Sequence, residues 1–509
     1  MSNVLLISID SLRRDLLDVY GGGFDIDVAT PNLDRFAERA ATFDSHYAGS
    51  LPCMPARREW LTGTQEFLWR PWGPVEPFDE TVPELARQNE LLTKLITDHY
   101  HYFQHGSHGY YESFHGFDLV RGHEHDAYRT APKEPDDRLI DQTGNRATDP
   151  VDSLQYINRP QYARNVADLD ELDERDFFAP RVFSRTAEWL RENQDWADWF
   201  CYVDSFDVHE PFHCPEPYAT MYTDEDPTDE ELTNWPYYGR VDDGQSELSD
   251  RELSFLRAQY AGKITMVDRW FGRVLDALDR DNLWEDTTVV VTSDHGFMFG
   301  DHGWVGKNVP PVYDTIAHTP LFIWQPSSPR MGERVDALTS AVDLYGTLLD
   351  AAGVDVTDTR HSRSVQPLLD GRSDSHRDWA LYGYWGSALN VTDGKYTYHL
   401  PCDGEVNTYC YSTTMMNSNS WFTPREPKNE AESGAFLPYT DTPVWRFPGK
   451  SFEQLDEPLL FDVTEDPTQH DNLAPSDEST VDQMRTLMRE ALQELDCPDE
   501  QYRRFNIDL

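Results

Sequence analysis

The chain has 509 residues, 39% of them hydrophobic and 13% aromatic, so it can bury a large core and is not disordered throughout. Its 92 acidic residues outnumber 43 basic residues, which gives a formal net charge of −49 at pH 7. This balance excludes nucleic-acid binding as the main function, and it excludes an anionic membrane as a partner, because both need basic surfaces.

The acidic residues are distributed along the whole chain, and only seven of the 43 basic residues are lysine. This pattern is typical of proteins from salt-loving organisms, in which concentrated salt screens the repulsion between like charges. We therefore expect halophilic adaptation, with an ordinary acidic enzyme as the alternative.

The start of the chain carries a short apolar run, residues 4–9, with no basic residue before it, and this pattern predicts a strand rather than a signal peptide. No stretch of about 18 apolar residues predicts a membrane span. The six cysteines form no CxxC pair that would indicate a zinc or redox site. These features predict a cytoplasmic protein with reduced thiols.

Four apolar runs, rich in β-branched and aromatic residues, predict buried strands at residues 4–9, 199–203, 288–292 and 321–324. Amphipathic helices are predicted at residues 31–39, 182–192, 252–278 and 342–352. Thr30 is the predicted N-cap of the first of these helices. Strands that alternate with helices predict an α/β fold, with a large mixed, mostly parallel sheet sandwiched by helices.

The pattern changes near residue 371. Short predicted strands at residues 382–385, 388–391, 396–399 and 459–462 indicate a smaller C-terminal antiparallel sheet, and residues 481–495 predict a closing helix. We therefore predict a main domain over residues 1–375 and a C-terminal subdomain over residues 376–509. Two acidic, turn-rich segments, residues 132–160 and 220–250, are predicted to be surface insertions.

Three of the predicted strands are followed by an aspartate: Asp10, Asp204 and Asp294. Functional residues of α/β sheets gather at the carboxyl ends of strands, so we expect these side chains to share one site. His295 follows Asp294, and a carboxylate beside an imidazole suits a divalent cation such as Mg²⁺, Mn²⁺ or Ca²⁺. The alternatives are helix capping for Asp10 and a solvated loop for residues 294–303.

Cys53 stands at the start of another predicted helix, and Arg57 lies one turn later on the same face. Because a helix N-terminus favours negative charge on a thiol, the two residues predict a nucleophile or an anion pocket. A small buried thiol is the alternative. His209, beyond a strand end, is a candidate proton donor to a leaving group, with a structural histidine as the alternative.

Taken together, these segments resemble the sulfatase family of the alkaline phosphatase superfamily. Residues 53–57 (CMPAR) match its C-x-P-x-R signature, in which the cysteine is oxidised to formylglycine, and residues 58–63 (REWLTG) continue the similarity. Further similar segments are residues 9–13, 30–36, 260–269, 293–296, 300–307, 391–396, 460–467 and 472–474. The resemblance extends from about residue 4 to about residue 475, and it implies an alkaline-phosphatase-like fold with residues 1–375 as the catalytic domain.

The resemblance implies hydrolysis of small-molecule or saccharide sulfate esters, with one divalent cation (Ca²⁺, Mg²⁺ or Mn²⁺) and a formylglycine that a maturation system makes from Cys53. In the family, the hydrated aldehyde attacks sulfur, the alcohol leaves, and sulfate is released as the aldehyde re-forms. The implied metal ligands are Asp10, Cys53, Asp294 and His295.

Further roles are implied for Arg57, Lys307 and His209. The arginine would steady the nucleophile, the lysine would bind the sulfate, and the histidine would bind substrate and serve the leaving group. The family's Lys-x-His segment is replaced here by residues 97–101 (TDHYH), from which we expect Asp98 and His101 to face the substrate. That replacement would remove one cationic contact to the sulfate.

Two departures from the family resemble its phosphonate monoester and phosphodiester hydrolase branch. Ser11 stands where many sulfatases carry a second acid, and His295 stands where many carry asparagine. The change from carboxylate to imidazole shifts the metal preference from Ca²⁺ toward Mn²⁺ or Mg²⁺. The hypotheses are thus a sulfatase of haloarchaeal type, a phosphonate monoester or phosphodiester hydrolase, and an inactive binding protein that retains the fold.

Overall fold

A computed structural model describes residues 3–21, 23–104, 107–130, 137–144, 161–167, 173–196, 198–241, 248–355, 358, 360–415, 430–449 and 455–508. Its strands are β1 (Asn3–Ile9), β2 (Ala41–Phe43), β3 (His46–Tyr47), β4 (Ser50–Leu51), β5 (Leu92–Thr97), β6 (Gly116–Leu119), β7 (Trp199–Ser205), β8 (Gly239–Arg240), β9 (Thr287–Thr292), β10 (Met298–Asp301), β11 (Trp304–Gly306), β12 (Leu321–Trp324), β13 (Arg334–Val335), β14 (Thr339–Ser340), β15 (Ala380–Tyr384), β16 (Leu389–Thr392), β17 (Tyr396–Leu400), β18 (Thr408–Ser412), β19 (Glu432–Gly434), β20 (Val444–Gly449) and β21 (Leu459–Asp462).

The helices of the described residues include α1 (Pro31–Ala37), α2 (Cys53–Thr62), α3 (Val82–Gln88), α4 (Asp137–Gly144), α5 (Phe178–Glu192), α6 (Asp250–Arg280), α7 (Asp314–Ala317), α8 (Asp343–Ala351), α9 (Gln366–Leu369), α10 (Glu478–Glu494) and α11 (Asp499–Arg504). Within the described ranges, no helix combines the length and the apolar character that a membrane span requires.

The main sheet has the strand order β13-β2-β12-β9-β1-β7-β5-β6. Strands β9, β1, β7, β5 and β6 run parallel to one another, which places their carboxyl ends along one edge. Strand β12 runs antiparallel to both of its neighbours, β9 and β2. The predicted mixed, mostly parallel sheet is confirmed.

Strand β1 shows why the sheet is buried on both faces. Leu5, Ile7 and Ile9 pack into one hydrophobic core, which also contains apolar residues of α1, α5 and α6. Val4 and Leu6 point to the opposite face and pack into a second core with residues of α2, α3 and α8. Successive side chains of a strand alternate between faces, so a continuous apolar run such as β1 requires helices on both sides.

A smaller sheet has the order β21-β17-β16-β15-β4. Strands β15, β16, β17 and β21 pair antiparallel, so the predicted C-terminal sheet is confirmed, and α10 is the predicted closing helix. Its fifth strand was not predicted: β4 joins in parallel to β15, with Ser50 opposite Gly383 and Leu51 opposite Tyr384. The boundary between residues 375 and 376 stays a prediction.

The predicted N-cap position of α1 is confirmed. Thr30 occupies the N-cap position, but its side chain makes no capping hydrogen bond. The backbone amides of Asn32 and Leu33 instead donate to the carboxylate of Asp268, which lies on α6. A carboxylate from a neighbouring helix satisfies these amides as a local hydroxyl would, and the sequence around residue 30 carries no sign of it.

The two predicted surface insertions fall partly outside the described residues. Residues 132–136 and 145–160 are not described, and α4 occupies the whole interval between them. Residues 242–247 are not described either, and residues 220–241 form turns and the short strand β8.

Candidate active site

The carboxyl ends of three adjacent strands, β9, β1 and β7, form the base of the site. Asp10 follows β1, Asp204 is the penultimate residue of β7, and Asp294 lies two residues beyond β9. The strand register places Ser8 opposite Asp204 on one side and opposite Thr292 on the other, so the three strands end level. All three aspartate side chains are buried.

Arg57 joins these three carboxylates. Its Nη2 donates to Asp10 Oδ2 over 2.9 Å, and its Nη1 donates to Asp294 Oδ2 over 2.7 Å. Asp204 accepts from Nε and from Nη2 over 2.8 Å each. Because three carboxylates surround one guanidinium, this buried group has a surplus of negative charge that a divalent cation would balance.

Helix α2 brings the signature cysteine to the same place. Cys53 is its first residue, and the Cys53 carbonyl accepts a hydrogen bond from Arg57 Nη1 over 3.0 Å. Burial, and then the charge of Asp10, raises the pKa of the Cys53 thiol well above its ordinary value. The thiolate expected at this helix N-terminus is therefore disfavoured, because loss of water and nearby carboxylates outweigh the helix dipole.

The structure brings together all four residues predicted to hold a metal. Asp10, Cys53, Asp294 and His295 each offer one ligand atom, and these atoms lie within 4.8 Å of one another. Burial lowers the pKa of His295 to about 4, so its imidazole is neutral, as a metal ligand must be. Burial, and then Asp294, raises the pKa of Asp10.

The charge of Asp294 opposes the ionisation of Asp10, and a cation between the two carboxylates would relieve that repulsion. Two hard carboxylate oxygens beside one imidazole nitrogen suit a divalent cation of the Mg²⁺ or Mn²⁺ type. The donor set that the chain presents therefore fits the metal that the family implies.

Lys307, Ser11 and Glu210 form a hydrogen-bonded chain at the same site. Lys307 Nζ donates to Ser11 Oγ over 3.1 Å and to Glu210 Oε2 over 3.3 Å. Ser11 Oγ in turn donates to Asp10 Oδ1 over 2.7 Å. Burial opposes the charge of Lys307, but Glu210 and the other acidic groups of the site together outweigh it and raise the lysine pKa, so Lys307 remains an ammonium group.

His209 lies next to this chain of hydrogen bonds. Its Nδ1 donates to the Glu210 carbonyl over 2.8 Å, and its ring packs on Phe206 with ring centres 4.1 Å apart. Burial, and then the charge of Lys307, lowers the pKa of His209 well below its ordinary value. The free site thus presents a neutral imidazole beside an ammonium group.

Within residues 97–101, the residue that lies beside the predicted metal ligands is His99. Its Nε2 is 3.7 Å from Asp10 Oδ2, and His101 Nδ1 is 3.4 Å from that same nitrogen of His99. The other ring nitrogen of His101 contacts Glu124, with 3.4 Å between His101 Nε2 and Glu124 Oε2. A substrate contact by His101 stays a prediction.

The structure places Asp98 in a different buried group from the four predicted metal ligands, and a substrate contact by Asp98 stays a prediction. Asp98 Oδ1 accepts from the Phe206 amide over 2.7 Å, and its carboxylate belongs to a separate buried group with His123 and Asp207. Adjacent residues after a strand point in different directions, so when the side chain of His99 points toward Asp10, that of Asp98 points elsewhere.

Two residues of the site were missed from the sequence. Glu210 follows His209 directly and pairs with Lys307, but a carboxylate beside a histidine has no local pattern that marks it. His99 carried a signal: aligning the family's Lys-x-His with residues 99–101 (HYH) places an imidazole where the lysine stands.

Comparisons with known proteins identify the family. The model of the sulfatase family matches residues 2–354. An arylsulfatase of Clostridium perfringens is 27% identical over 408 residues, which cover 74% of this chain and 80% of that protein. The multifunctional alkaline phosphatase superfamily protein PehA of Trinickia caryophylli is 24% identical over 431 residues, which cover 74% and 80%.

Among solved structures, the phosphonate monoester hydrolase of Agrobacterium radiobacter has a TM-score of 0.66 with 21% sequence identity, and the similarity covers 97% of this chain and 95% of that one. Similarity at that level of identity demonstrates a common fold. The sulfatase match spans well over half of the 509 residues. The chain therefore belongs to the sulfatase family, a family of sulfuric ester hydrolases in the alkaline phosphatase superfamily.

Proposed function

We propose that the chain hydrolyses sulfate monoesters of small molecules or saccharides, with a formylglycine made from Cys53 and one divalent cation. One observation carries the proposal: Asp10, Cys53, Asp294 and His295 each place a ligand atom within 4.8 Å of the others. The family match and the arylsulfatase relative support a sulfate ester as the substrate.

The environment of Cys53 argues against the thiol itself as the nucleophile. Burial, and then Asp10, raises the pKa of the thiol, and a protonated thiol is a poor nucleophile. When present, hydrated formylglycine supplies a hydroxyl nucleophile in place of the thiol. The Cys53 Sγ of the structure marks where that oxygen would stand, 3.2 Å from His295 Nε2.

Asp10, Asp294 and His295 would hold the cation together with the side chain at position 53. When bound, the cation supplies positive charge that activates the nucleophile and offsets the charge of the sulfate group. The imidazole favours Mg²⁺ or Mn²⁺ over Ca²⁺.

The remaining residues bind and orient. Lys307 would bind a sulfate oxygen, and Ser11 keeps the lysine ammonium at a fixed distance from Asp10. Arg57 orients the residue at position 53 through its carbonyl. His209 would protonate the leaving oxygen as the sulfur–oxygen bond breaks, which releases the alcohol, because an anionic substrate raises the lowered pKa of a nearby imidazole. The net reaction consumes water and releases an alcohol and sulfate.

Peptide mass spectrometry of enzyme from the native host, or from cells that also produce a formylglycine-generating enzyme, tests the proposal. We expect the Cys53 peptide to carry the mass change of thiol-to-aldehyde conversion, in proportion to specific activity. A plain thiol in fully active enzyme would refute the mechanism. The maturation system is thus a proposed partner of the chain.

Cys53→Ala provides the matching loss of function. We expect this variant to fold and to lose hydrolysis of an aryl sulfate. The sulfatase proposal fails if formylglycine-containing wild type hydrolyses no ester with Mg²⁺, Mn²⁺ or Ca²⁺. In that case, binding of the ester without turnover would favour the inactive binding protein.

A second candidate is hydrolysis of phosphonate monoesters or phosphodiesters at the same site. Ser11 in place of a second acid and His295 in place of asparagine favour it, and the relative PehA is described as multifunctional. Comparison of kcat/KM for an aryl sulfate, a phosphodiester and a phosphonate monoester with one leaving group distinguishes the two. A preference for the phosphorus esters by about a hundredfold or more would make this candidate the main function.

A further inference from the structure

Lys263 is a buried lysine of α6 outside the group of metal ligands. Its side chain is almost fully buried, and its Nζ contacts three oxygens of one short segment. Nζ lies 2.5 Å from Asp207 Oδ1, and it donates to the His209 carbonyl over 3.0 Å and to the Pro211 carbonyl over 2.9 Å. An ammonium group has three donors, so all of them serve residues 207–211.

Asp207, the anionic partner of this lysine, is itself held from two further directions. Its Oδ1 lies 2.8 Å from His123 Nε2, and its Oδ2 accepts from the Ala179 amide in the first turn of α5 over 3.1 Å. Burial opposes ionisation of Asp207, but Lys263 and His123 outweigh it and lower the aspartate pKa. The ammonium of Lys263 therefore already supplies the cation for this carboxylate.

Residues 207–211, which Lys263 contacts, include two residues of the active site. His209 Nδ1 donates to the Glu210 carbonyl over 2.8 Å, which leaves Nε2 as the ring nitrogen to face a substrate. Glu210 Oε2 lies 3.3 Å from Lys307 Nζ. The carbonyl that precedes Glu210 and the carbonyl that follows it both bind Lys263, so the lysine restrains the backbone on either side.

We propose that Lys263 is a positioning residue for the leaving-group side of the reaction, because it fixes the backbone that carries His209 and Glu210, the second of which contacts Lys307. The inference rests on the proposed function, in which His209 protonates the departing oxygen so that it leaves as an alcohol. A proton donor acts only within hydrogen-bond reach of the leaving oxygen, and small displacements reduce its contribution strongly.

The test compares kcat/KM over a series of aryl sulfates whose phenolate leaving groups range from weakly to strongly basic. Protonation matters most for the most basic leaving group, so H209Q should lose little on the best leaving group and about a hundredfold on the poorest. K263M should show the same trend, with a loss of about tenfold or more on the poorest leaving group and less than about twofold on the best.

Two further variants separate position from stability. K263M/D207N removes both charges of the buried pair, and we expect it to unfold at a higher temperature than K263M while keeping the leaving-group dependence of K263M. K94M makes the same substitution in the partly exposed pair with Asp118, and we expect its kcat/KM series to parallel wild type.

An equal loss on every leaving group in K263M and K263M/D207N, or no loss in either, would overturn the positioning role. Failure of the proposed function has a different signature. If wild type hydrolyses aryl sulfates but H209Q shows no dependence on leaving group, the assigned role of His209 is wrong. If wild type hydrolyses none of them, the sulfatase proposal fails, whatever the result for Lys263.

Discussion

Arg57 holds both carboxylate oxygens of Asp204, with Nε donating to Oδ2 and Nη2 donating to Oδ1 over 2.8 Å each. This bidentate pairing fixes the plane of the guanidinium group, so the remaining N–H donors of Arg57 reach Asp10 and Asp294. A point charge on a flexible chain cannot make these contacts together. Arg57 therefore holds Asp10 and Asp294, two of the proposed metal ligands, and Cys53, the proposed nucleophile precursor, in one geometry.

Arg57→Lys should lower kcat/KM for an aryl sulfate by about a hundredfold or more, because several contacts to buried carboxylates are lost together. The neighbouring residue offers a matched control: Arg58 pairs with Glu66 and Asp79, and neither has a place in the proposed mechanism. We expect R58K to lower Tm with a much smaller effect on kcat/KM. Equal losses of activity in the two variants would contradict the role of Arg57.

Removal of the metal should be visible in stability as well as activity. Dialysis of wild type against a chelator should lower Tm, and added Mn²⁺ or Mg²⁺ should restore it. At a cation concentration a hundred times the dissociation constant, the free energy of unfolding should rise by about 2.7 kcal/mol. Asp294→Asn should abolish this dependence on the cation.

Asp343→Asn is the matched control, because Asp343 is an equally buried carboxylate that pairs with Arg377 elsewhere. We expect D343N to lower Tm while the shift on adding the cation remains as in wild type. A wild-type Tm that does not respond to Mg²⁺, Mn²⁺ or Ca²⁺ would argue against the metal site.

Glu59 on α2 should make stability depend on pH. Burial raises its pKa to about 8, although the Ser50 amide donates to its Oε2 over 2.6 Å. A carboxyl whose pKa is raised on folding stabilises fully below its unfolded pKa, near 4.5, and this contribution is lost as the pH rises to about 8. The loss amounts to about 1.4 kcal/mol per pH unit in that interval.

Glu59→Gln keeps an acceptor for the Ser50 amide and removes the titration. The free energy of unfolding of E59Q relative to wild type, measured with denaturant at pH 5 and pH 8, should therefore be higher at pH 8. E490Q, at an exposed position of α10, should show the same pH dependence as wild type. A difference between E59Q and wild type that stays constant with pH would contradict the raised pKa.

Salt should stabilise the fold. With a net charge of −49, repulsion between acidic residues opposes folding until it is screened. The screening length falls from about 10 Å at 0.1 M salt to about 3 Å at 1 M, so Tm should rise steadily as KCl is raised toward molar concentrations. A Tm indifferent to KCl would contradict the halophilic character proposed from the composition.

The main strands were predictable because their apolar runs are continuous. The run at residues 4–9 became β1, and the run at 288–292 became β9 with one added residue. The run at 321–324 gave β12 its bounds but not its antiparallel direction, since direction depends on connections far along the chain. The aspartates after β1 and β9 were predictable because parallel strands end at one edge.

Side-chain direction and distant partners were not predictable. Asp98 and His99 are adjacent after β5, and the local backbone conformation decides which of the two side chains faces the site. Lys263 lies in the helical pattern of α6, and its partner Asp207 is far away in sequence, so no local spacing connects them. Contacts of this kind become visible only when elements from distant parts of the chain are packed together.

The parallel pairing of β4 with β15 limits how this protein can be recombined. Ser50 and Leu51, just before Cys53, are hydrogen-bonded to a strand more than 300 residues away, and the Tyr384 hydroxyl of that strand donates to the Lys307 carbonyl. A chimera with a breakpoint between these strands would join a reactive centre from one parent to a supporting edge from another. Exchange of the C-terminal region between homologues should therefore succeed only when residues 50–51 are exchanged with it.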